Sequence, residues 1–466
     1  MAKLTFYGAT EGVTGSAYLI ETELSTVLLE CGLYQGSREE EAQNKNPFPF
    51  DIHNIDAVVL SHAHLDHTGR VPKLVADGYD GPVFMTHPTC ELLEILHKDA
   101  ASLQERDVEW ENKRRRRAGK KEIEPLYTME DVEKALLLFN SVPYGQRIEV
   151  AKDIEVCFRD AGHILGSAIV ELFINDKGKK TKLVFSGDLG NSDAALLRDP
   201  EVIEDADILL LESTYGDRDH RPIDETLKEF EDIIVEASAS GGNILIPSFA
   251  VGRTQEIIFY LGKLYQAGKL KQQAVYLDSP MAIAATEVYH RFQNVFNPED
   301  SRSLQQGRTG TLHSYLPVLR YSRTTEESMA LNRIESGAII IAGSGMCNGG
   351  RIRHHLKHNL WKSKAHVVIV GFQAQGTPGR ILVDGAETFR VVGEEIAVKA
   401  SIHTLGGFSA HASQSQLLKW VNQFKKPHPR LYLVHGETDA KLALKEKFSH
   451  HGWPASIAKY AESISL

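Results

Sequence analysis

The sequence predicts an α/β protein whose functional groups lie at the ends of buried strands. Short apolar runs alternate with segments of helical periodicity, and each of the clearest runs leads into a polar residue. These runs are residues 57–60, 182–186, 208–211, 243–246 and 430–434. Apolar runs of this length are typical of strands covered on both faces, and sites in layered α/β proteins form just beyond such strand ends.

Helical periodicity is present at residues 225–237, 254–266 and 414–424. Residues 129–140 also have a helical pattern, with Thr128 as the predicted N-cap. The sequence has no internal repeat and no Pro/Ser-rich linker, so composition does not mark a domain boundary. Its 466 residues are enough for two or three domains.

Targeting features and cysteine usage predict the compartment. The N-terminus does not resemble a signal peptide, and no apolar run is long enough to cross a bilayer. The 4 cysteines contain no CxxC pair, which argues against a disulfide framework and against a cysteine-based zinc site. We therefore expect a cytoplasmic protein with reduced thiols and no membrane partner.

The formal net charge of −10 argues against nucleic-acid binding over the whole surface, but two segments are locally basic. Residues 105–121 carry eight Lys/Arg against four acidic residues, centred on the run from Arg114 to Arg117. Residues 351–366 carry five Lys/Arg and no acidic residue. Each segment is either a solvated charged face or a binding site for a polyanion, and the sequence leaves both open.

Four potential metal ligands follow the first apolar run, in His62-Ala63-His64-Leu65-Asp66-His67. In an extended segment His62 and His64 project to the same side, and Asp66 and His67 then turn towards a second centre. Imidazole and carboxylate are the ligands that zinc takes where cysteine is absent. Unliganded, these groups would be costly to bury, so the run predicts a metal site.

Three further strand ends offer ligands. His163 lies between glycines at 160–166, Asp188 follows Ser-Gly after the strand at 182–186, and His435 follows the strand at 430–434. Together with the histidine run they make a set of seven ligands, which is enough for two metal ions.

The order of these motifs resembles the metallo-β-lactamase superfamily. Residues 211–216, 407–411 and 433–437 are similar to motifs of its β-CASP branch, which processes nucleic acids. The resemblance extends from residue 1 to about 440, and it is closest to the bacterial and archaeal homologues of the cleavage and polyadenylation specificity factor endonuclease subunit. It implies an αββα sandwich with an inserted α/β β-CASP domain, whose parallel sheet is flanked by helices. We expect the sandwich at 1–205 and 404–466 and the insertion at 206–403.

The resemblance also implies two zinc ions per chain and a role for each ligand. The first zinc would be held by His62, His64 and His163, the second by Asp66, His67 and His435, with Asp188 bridging both. A hydroxide between the metals would be the nucleophile, because zinc lowers the pKa of bound water.

Two acidic residues, Glu212 and Glu30, have supporting roles in the implied site. Glu212 would orient His411, which would act as the general acid and protonate the departing ribose oxygen. The family usually has Asp where this chain has Glu30, at a position that supports the ligands without touching metal. The extra methylene puts in doubt how Glu30 braces His62 or His64.

Two grounds favour single-stranded RNA as the substrate. Two metals about 3.5–4 Å apart suit in-line displacement at phosphorus. His435 at the late ligand position also resembles the RNA-acting members of the branch, whereas the DNA-acting members resemble a variant with Val at this position.

The glycine-rich segments 247–254 and 343–351 suit phosphate binding as well as simple turns. The candidate substrate-binding residues are Arg253, Ser344, Arg351 and Ser409, with His354 and His355 as further candidates.

Other functions remain open. A small-molecule hydrolase of the same superfamily would share the histidine run, but it would not explain the inserted domain, Glu212 or His411. A scaffold protein that has lost its ligands is disfavoured, because all seven ligand positions are filled. Within the nuclease interpretation, internal cutting is favoured over trimming from the 5′ end, and both stay open. The resemblance further implies a homodimer.

Overall fold

The computed structural model describes residues 2–192 and 194–466, which form two compact units. The first unit comprises Met1–Ser192, Asp199–Asp219 and His411–Leu466, and the second comprises Asp193–Arg198 and His220–Ala410. The second unit thus interrupts the first along the chain.

The strands are numbered in chain order. They are β1 Lys3–Phe6, β2 Tyr18–Glu21, β3 Thr26–Leu29, β4 Ala57–Val59, β5 Val83–Thr86, β6 Phe139–Val142, β7 Arg147–Ala151, β8 Ile154–Asp160, β9 Ala168–Asp176, β10 Lys179–Phe185, β11 Ile208–Leu211, β12 Ile244–Pro247, β13 Ala274–Leu277, β14 Leu319–Tyr321, β15 Ala338–Ala342, β16 His366–Ile369, β17 Thr388–Val391, β18 Glu394–Ala397, β19 Ser401–Thr404, β20 Arg430–Leu433, β21 Ala455–Ile457 and β22 Ser463–Ser465.

The α-helices are numbered in the same way. They are α1 Arg38–Ala42, α2 Leu65–Thr68, α3 Val71–Ala76, α4 His87–Arg117, α5 Met129–Leu137, α6 Ile223–Ser240, α7 Arg253–Gln266, α8 Pro280–Arg291, α9 Pro298–Leu304, α10 Leu312–Tyr315, α11 Thr325–Leu331, α12 Ile352–Asn359, α13 Pro378–Val383, α14 Gln414–Val421 and α15 Thr438–His450.

Two seven-stranded sheets form the first unit, with the orders β22-β1-β2-β3-β4-β5-β6 and β21-β20-β11-β10-β9-β8-β7. In both sheets antiparallel strands give way to parallel ones, at β3–β4 and at β10–β11. Phe6 and Tyr18 of one sheet share a buried core with Phe158 and Phe185 of the other. Helix α4 packs on β5 and β6, while α14 and α15 contribute to the core on the second sheet. The predicted αββα sandwich is therefore confirmed.

A six-stranded sheet of order β14-β13-β15-β12-β16-β19 forms the centre of the second unit, and every pairing in it is parallel. All five residues of β15 are buried, as expected for a strand covered on both faces. Leu356 of α12 and Leu382 of α13 pack into its core. This confirms the predicted parallel sheet flanked by helices.

The five apolar runs correspond to β4, β10, β11, β12 and β20. The helical patterns at 225–237, 254–266 and 414–424 correspond to α6, α7 and α14. The helix predicted over 129–140 was wrong at its end, because Phe139 begins β6 and pairs with Val83 of β5. Within the described ranges, no helix combines the length and apolar character needed to span a membrane.

The two units divide the chain after Asp219 and after Ala410. The sequence-based boundaries were placed earlier, after 205 and 403. The difference at the first boundary has a structural reason, since β11 pairs with β10 and β20 and so belongs to the second sheet of the sandwich.

Candidate metal centre

The histidine run changes conformation in the middle. After β4 the chain bends at Ser61 and Ala63 and reaches His64, the extended N-cap residue of α2, and Asp66 and His67 lie in that short helix. The histidines before the helix and the ligands within it therefore point their side chains at different partners.

The first cluster contains three imidazoles and one carboxylate oxygen. His64 Nδ1 lies 3.2 Å from His62 Nε2 and 3.2 Å from His163 Nε2. Asp188 Oδ2 lies 3.5 Å from His62 Nε2 and 3.7 Å from His163 Nε2. These four atoms lie within 4.8 Å of one another.

The second cluster uses the other oxygen of the same carboxylate. His67 Nε2 lies 3.0 Å from His435 Nε2, and Asp66 Oδ2 lies 3.8 and 3.5 Å from these two nitrogens. Asp188 Oδ1 lies 3.4 Å from His67 Nε2 and 3.4 Å from His435 Nδ1. Asp188 is thus common to both clusters.

The donor spacing fits zinc. With Zn–N bonds of 2.0–2.1 Å, two ligands on a tetrahedral ion lie about 3.3 Å apart. The contacts within the clusters, at 3.0–3.8 Å, bracket this value. Asp188 Oδ1 is also buried, and among the described residues it has no hydrogen-bond partner, a state that a cation would satisfy.

Close approach of two loops fixes the first cluster. Asp188 and His163 follow β10 and β8, and the loops after these strands meet at Gly190. A Cβ atom at Gly190 would lie 2.0 Å from the carbonyl oxygen of Gly162, so only glycine fits.

His435 is held by the loop that follows β1. Its φ of 48° is unusual for a residue with a side chain. The backbone N–H of His435 donates to Ala9 O at 2.7 Å, and Gly436 N–H donates to Gly12 O at 3.1 Å. The ammonium group of buried Lys441 in turn donates to Thr10 O.

Burial and mutual contacts set the charges of the ligands. Burial is the main reason that the pKa of His62 lies well below its ordinary value, so this imidazole is neutral. Burial opposes ionisation of Asp188, but the surrounding imidazoles outweigh it and hold its pKa well below the ordinary value. The pKa of Asp66 is lowered to about 2 despite burial, chiefly by His67 and His435. His67 differs from His62. Burial lowers the pKa of His67, but Asp188, Asp66 and Glu30 outweigh burial and raise this pKa well above its ordinary value. A metal ion bound there would therefore displace a proton.

Glu30 braces the centre through His67 and Ser61. Its carboxylate contacts His67 Nδ1 and accepts hydrogen bonds from Ser61 N–H at 2.6 Å and from Ser61 Oγ at 2.8 Å. Ser61 Oγ also lies 3.0 Å from His62 Nδ1. Glu30 therefore contacts His67 directly and reaches His62 only through Ser61, whereas His62 or His64 was the expected partner.

Replacing Glu30 with glutamine is expected to weaken zinc binding about 10–100-fold, because the amide cannot supply the negative charge that supports the His67 imidazole. Competition with a chromogenic chelator measures this affinity. Glu155→Gln, on an exposed carboxylate of β8, is the matched control and should bind zinc like the unmodified protein. Unchanged affinity in Glu30→Gln would contradict the bracing role.

Glu212 and His411 lie beside the first cluster. Glu212 is fully buried, and its two oxygens accept hydrogen bonds from Leu189 N–H at 2.9 Å and Thr214 N–H at 3.1 Å. His411 Nδ1 lies 3.4 Å from Glu212 Oε1 and 3.9 Å from Asp188 Oδ2. Burial lowers the pKa of His411, but these carboxylates outweigh it, Glu212 most strongly, and raise the pKa to about 9.

The residues predicted to bind substrate lie in the second unit, and several have partners there. Arg253 is buried against Glu256. Arg351 donates to Asp278 Oδ1 at 2.7 Å and to the carbonyl of Ser322 at 3.1 Å. Ser344 Oγ accepts from Gly349 N–H at 3.2 Å, His354 is exposed and Ser409 is half-buried. Substrate binding by these residues stays a prediction.

Asp278 is the centre of a buried polar cluster that orders Arg351. Its Oδ2 accepts from Ser328 Oγ at 2.6 Å and lies 2.6 Å from His355 Nε2. Burial raises the pKa of Asp278, but these hydrogen bonds outweigh it and lower the pKa to about 2.

We expect Asp278→Ala to lower the free energy of unfolding by about 3 kcal/mol, since it leaves buried partners unpaired. The folded-state pKa of Asp278 lies below its unfolded value of about 3.9. Its contribution is therefore complete above about pH 4 and is lost only as the pH falls towards 2. Urea unfolding at pH 5 and pH 8 should give the same difference from the unmodified protein. A difference that vanishes at pH 5, or a similar effect from the exposed Asp384→Ala, would contradict this account.

The sequence interpretation missed three supporting residues of the centre. Ser61 links Glu30 to His62, Thr214 Oγ lies 3.2 Å from His435 Nδ1, and Lys441 holds the loop beneath His435. Ser61 adjoins the histidine run and Thr214 lies within the motif at 211–216, which is a usable signal. Nothing in the sequence around Lys441 indicates its contact with Thr10, which is distant along the chain.

Three family models match the sequence. The metallo-beta-lactamase superfamily model matches residues 10–141, in the first unit. The Beta-Casp domain model matches residues 254–382, in the second unit. A model described as the Zn-dependent metallo-hydrolase RNA specificity domain matches residues 395–458.

Curated relatives align along nearly the whole chain. Ribonuclease TTHA0252 of Thermus thermophilus is 41% identical over 461 residues, 99% of each chain. The transcription termination factor FttA of Methanocaldococcus jannaschii is 30% identical over 445 residues, 93% of this chain and 67% of that protein. An RNase J-like protein of the same organism is 30% identical over 447 residues, 95% and 94% of the two chains.

A solved structure of a protein of unknown function from Enterococcus faecalis V583 aligns with 100% of both chains. The TM-score is 0.55 and the identity is 13%, which is a likeness of fold alone.

Proposed function

Because the chain belongs to the metallo-β-lactamase superfamily and carries its Beta-Casp and RNA specificity domains, we propose that it is a two-zinc ribonuclease that cuts within single-stranded RNA. The observation that carries the proposal is the pair of ligand clusters that share Asp188. The adjoining pair of Glu212 and His411 supports it, since hydrolysis of a phosphodiester also requires a proton for the departing oxygen.

We assign a different role to each residue of the centre. Bound zinc supplies water activation and stabilisation of charge on the phosphoryl oxygens. Asp188 holds the two clusters together, and Glu30 keeps the proton of His67 on Nδ1, so that Nε2 remains free to act as a ligand. Glu212 fixes the Nδ1 side of His411 and keeps that imidazole protonated near neutral pH.

Exposure indicates the side from which substrate enters. The side chains of His62, His67 and Asp188 are at most 1% exposed, whereas those of Asp66 and His411 are 21% and 22% exposed. His411 is therefore the imidazole outside the ligand set that a substrate can reach. We propose that it donates the proton to the leaving ribose oxygen.

Relatives support RNA as the substrate. The relative that is 41% identical is named a ribonuclease, and one relative at 30% identity is named RNase J-like. The segment that matches the RNA specificity model, residues 395–458, contains both His411 and His435. We also propose that the first unit is the hydrolase domain and the second is the inserted β-CASP domain.

Product mapping on a single-stranded RNA tests the proposal. One sample carries a label at its 5′ end and another carries internal labels, with single-stranded DNA of the same sequence as the control. We expect internal fragments from the RNA in both samples and little cleavage of the DNA. If mononucleotides were the only products, we would conclude that the protein trims RNA from the 5′ end and does not cut it internally. An absence of RNA cleavage by the zinc-loaded protein would overturn the proposal.

A further inference from the structure

The end of α4 is a basic surface far from the metal centre. Beyond Ala101, only Asn112 among the residues of this 31-residue helix is buried, so its last turns project from the core. The α4 basic cluster, as we name it, consists of exposed or half-exposed cations in the last turn and in the segment that follows. Its members are Arg114, Arg115, Arg116, Arg117, Lys120 and Lys121.

Two contacts hold the following segment against the helix. The side-chain amide of Asn112 donates to Ile123 O at 2.8 Å and accepts from Ile123 N–H at 2.9 Å. Arg115 Nε donates to Lys121 O at 2.6 Å. Lys120 and Lys121 are therefore held beside the arginines, and the cations form one ordered surface.

Nearby acids neutralise only part of this charge. Glu111 lies 3.4 Å from Arg114, and Glu122 lies 3.2 Å from Arg116. Among the residues that the structure describes, Arg117, Lys120 and Lys121 form no ion pair. A helix C-terminus gains from one or two cations, because its dipole carries about half a negative charge, but like charges in adjacent turns repel. The excess of positive charge at the end of α4 is explained if this surface binds an external anion.

The other basic segment of the sequence, residues 351–366, is also partly neutralised. Arg351 pairs with Asp278, and Lys357 pairs with Glu394. The positive charge of Arg351, at the end of the glycine-rich segment 343–351, is therefore neutralised by Asp278. The other cations of segment 351–366, Arg353, Lys362 and Lys364, form no ion pair among the described residues, but they do not adjoin one another along the chain as Arg114 to Arg117 do.

An exposed aromatic ring adjoins the cluster. Trp110 is 61% exposed, and the Arg114 guanidinium carbon lies 4.9 Å from its ring centroid. An indole ring in solvent beside several cations can stack on a nucleobase while the cations contact phosphates, a combination typical of single-strand binding.

The two ends of α4 lie at very different distances from the metal centre. At its start, Thr86 Oγ and Thr89 Oγ donate to Gly166 O at 2.6 and 2.8 Å, in the loop that carries His163. At a rise of 1.5 Å per residue the helix is about 45 Å long. A single strand with bases stacked at 3.4 Å would need about 13 nucleotides to span it.

We propose that the α4 basic cluster, with Trp110, is an accessory site for the backbone and bases of single-stranded RNA, separate from the metal centre. The inference rests on the proposed function, because that function identifies the polyanion as RNA. The site adds affinity for long RNA, and an RNA too short to span α4 cannot occupy both sites.

Equilibrium binding of two labelled RNAs tests the proposal. We use RNAs of about 6 and about 30 nucleotides, below and above the span of α4. The full-length, zinc-loaded chain carries His411→Ala to limit cleavage during the measurement. The triple variant Arg117→Gln, Lys120→Gln, Lys121→Gln is compared with a control that removes three exposed lysines of the same unit, Lys152→Gln, Lys180→Gln, Lys445→Gln.

The triple variant is expected to bind the long RNA at least about tenfold more weakly, and the slope of log affinity against log salt should fall by about 2. Binding of the short RNA should not change, and the control should behave like the parent. If the parent and the triple variant bound the long RNA with equal affinity and equal salt dependence, the proposed accessory site would be wrong. Unchanged long-RNA binding in Trp110→Ala would overturn the stacking contact.

Cleavage of the short RNA by the protein with His411 intact separates this inference from the proposed function. Absence of cleavage contradicts the proposed ribonuclease, whereas the binding comparison tests the α4 basic cluster by itself.

Discussion

Replacing Asp188 with alanine is expected to remove both zinc and RNA cleavage. Its two oxygens approach both clusters, with Oδ2 3.5 Å from His62 Nε2 and Oδ1 3.4 Å from both His67 and His435. Without this carboxylate the buried imidazoles have no shared anion, and neither metal has its full set of ligands. Metal analysis should give well under one zinc per chain, and cleavage should fall by at least about a thousandfold.

Glu171→Ala is the matched control for Asp188→Ala. Glu171 is also a buried carboxylate of the second sheet, but it pairs with Arg159 and Lys182 and not with the centre. This variant should keep its zinc and its cleavage, at some expense of stability. Full RNA cleavage by a correctly folded Asp188→Ala protein would contradict the assignment of the centre.

Replacing His411 with alanine is expected to leave the zinc content unchanged and to lower cleavage by about 10²–10⁴-fold. His411 lies outside the seven proposed ligands, and its Nδ1 contacts Glu212 at 3.4 Å. The loss should therefore fall on protonation of the leaving group and not on metal binding.

A modified substrate distinguishes this role from a structural one. An RNA with sulfur in place of the departing bridging oxygen needs no proton to leave, so His411→Ala should cut it nearly as fast as the unmodified protein does. His450→Ala, on the exposed side of α15, serves as the control and should cut both substrates normally. An equal loss on both substrates would show that His411 does not act as the acid.

The sequence predicts the fold and the centre where local pattern decides the outcome. The apolar runs predict β4, β10, β11, β12 and β20 because a strand covered on both faces needs little more than continuous hydrophobicity. The alternation of His62 and His64, followed by Asp66 and His67, similarly predicts two sets of ligands. The structure places these pairs in separate clusters because α2 begins between them.

Features that depend on distant contacts could not be predicted in this way. The contact of Glu30 with His67 depends on the pairing of β3 with β4. Asp278 contacts Arg351 because β13 and β15, the strands that precede these residues, are neighbours in the parallel sheet. Helix α4 was not predicted, because most of its second half has no apolar face to create a periodic pattern. The end of α5 was missed because pairing of β6 with β5 overrides the helical pattern at Phe139.

Titration of metal-free protein with zinc tests the central claim, a two-zinc ribonuclease centre built on Asp188, most directly. Zinc is removed with a chelator, and RNA cleavage is measured as zinc is restored. We predict that cleavage is absent at first and reaches its plateau at about two zinc ions per chain, the capacity of two clusters that share a carboxylate. Cleavage of RNA at the full rate by protein that holds no zinc would contradict it.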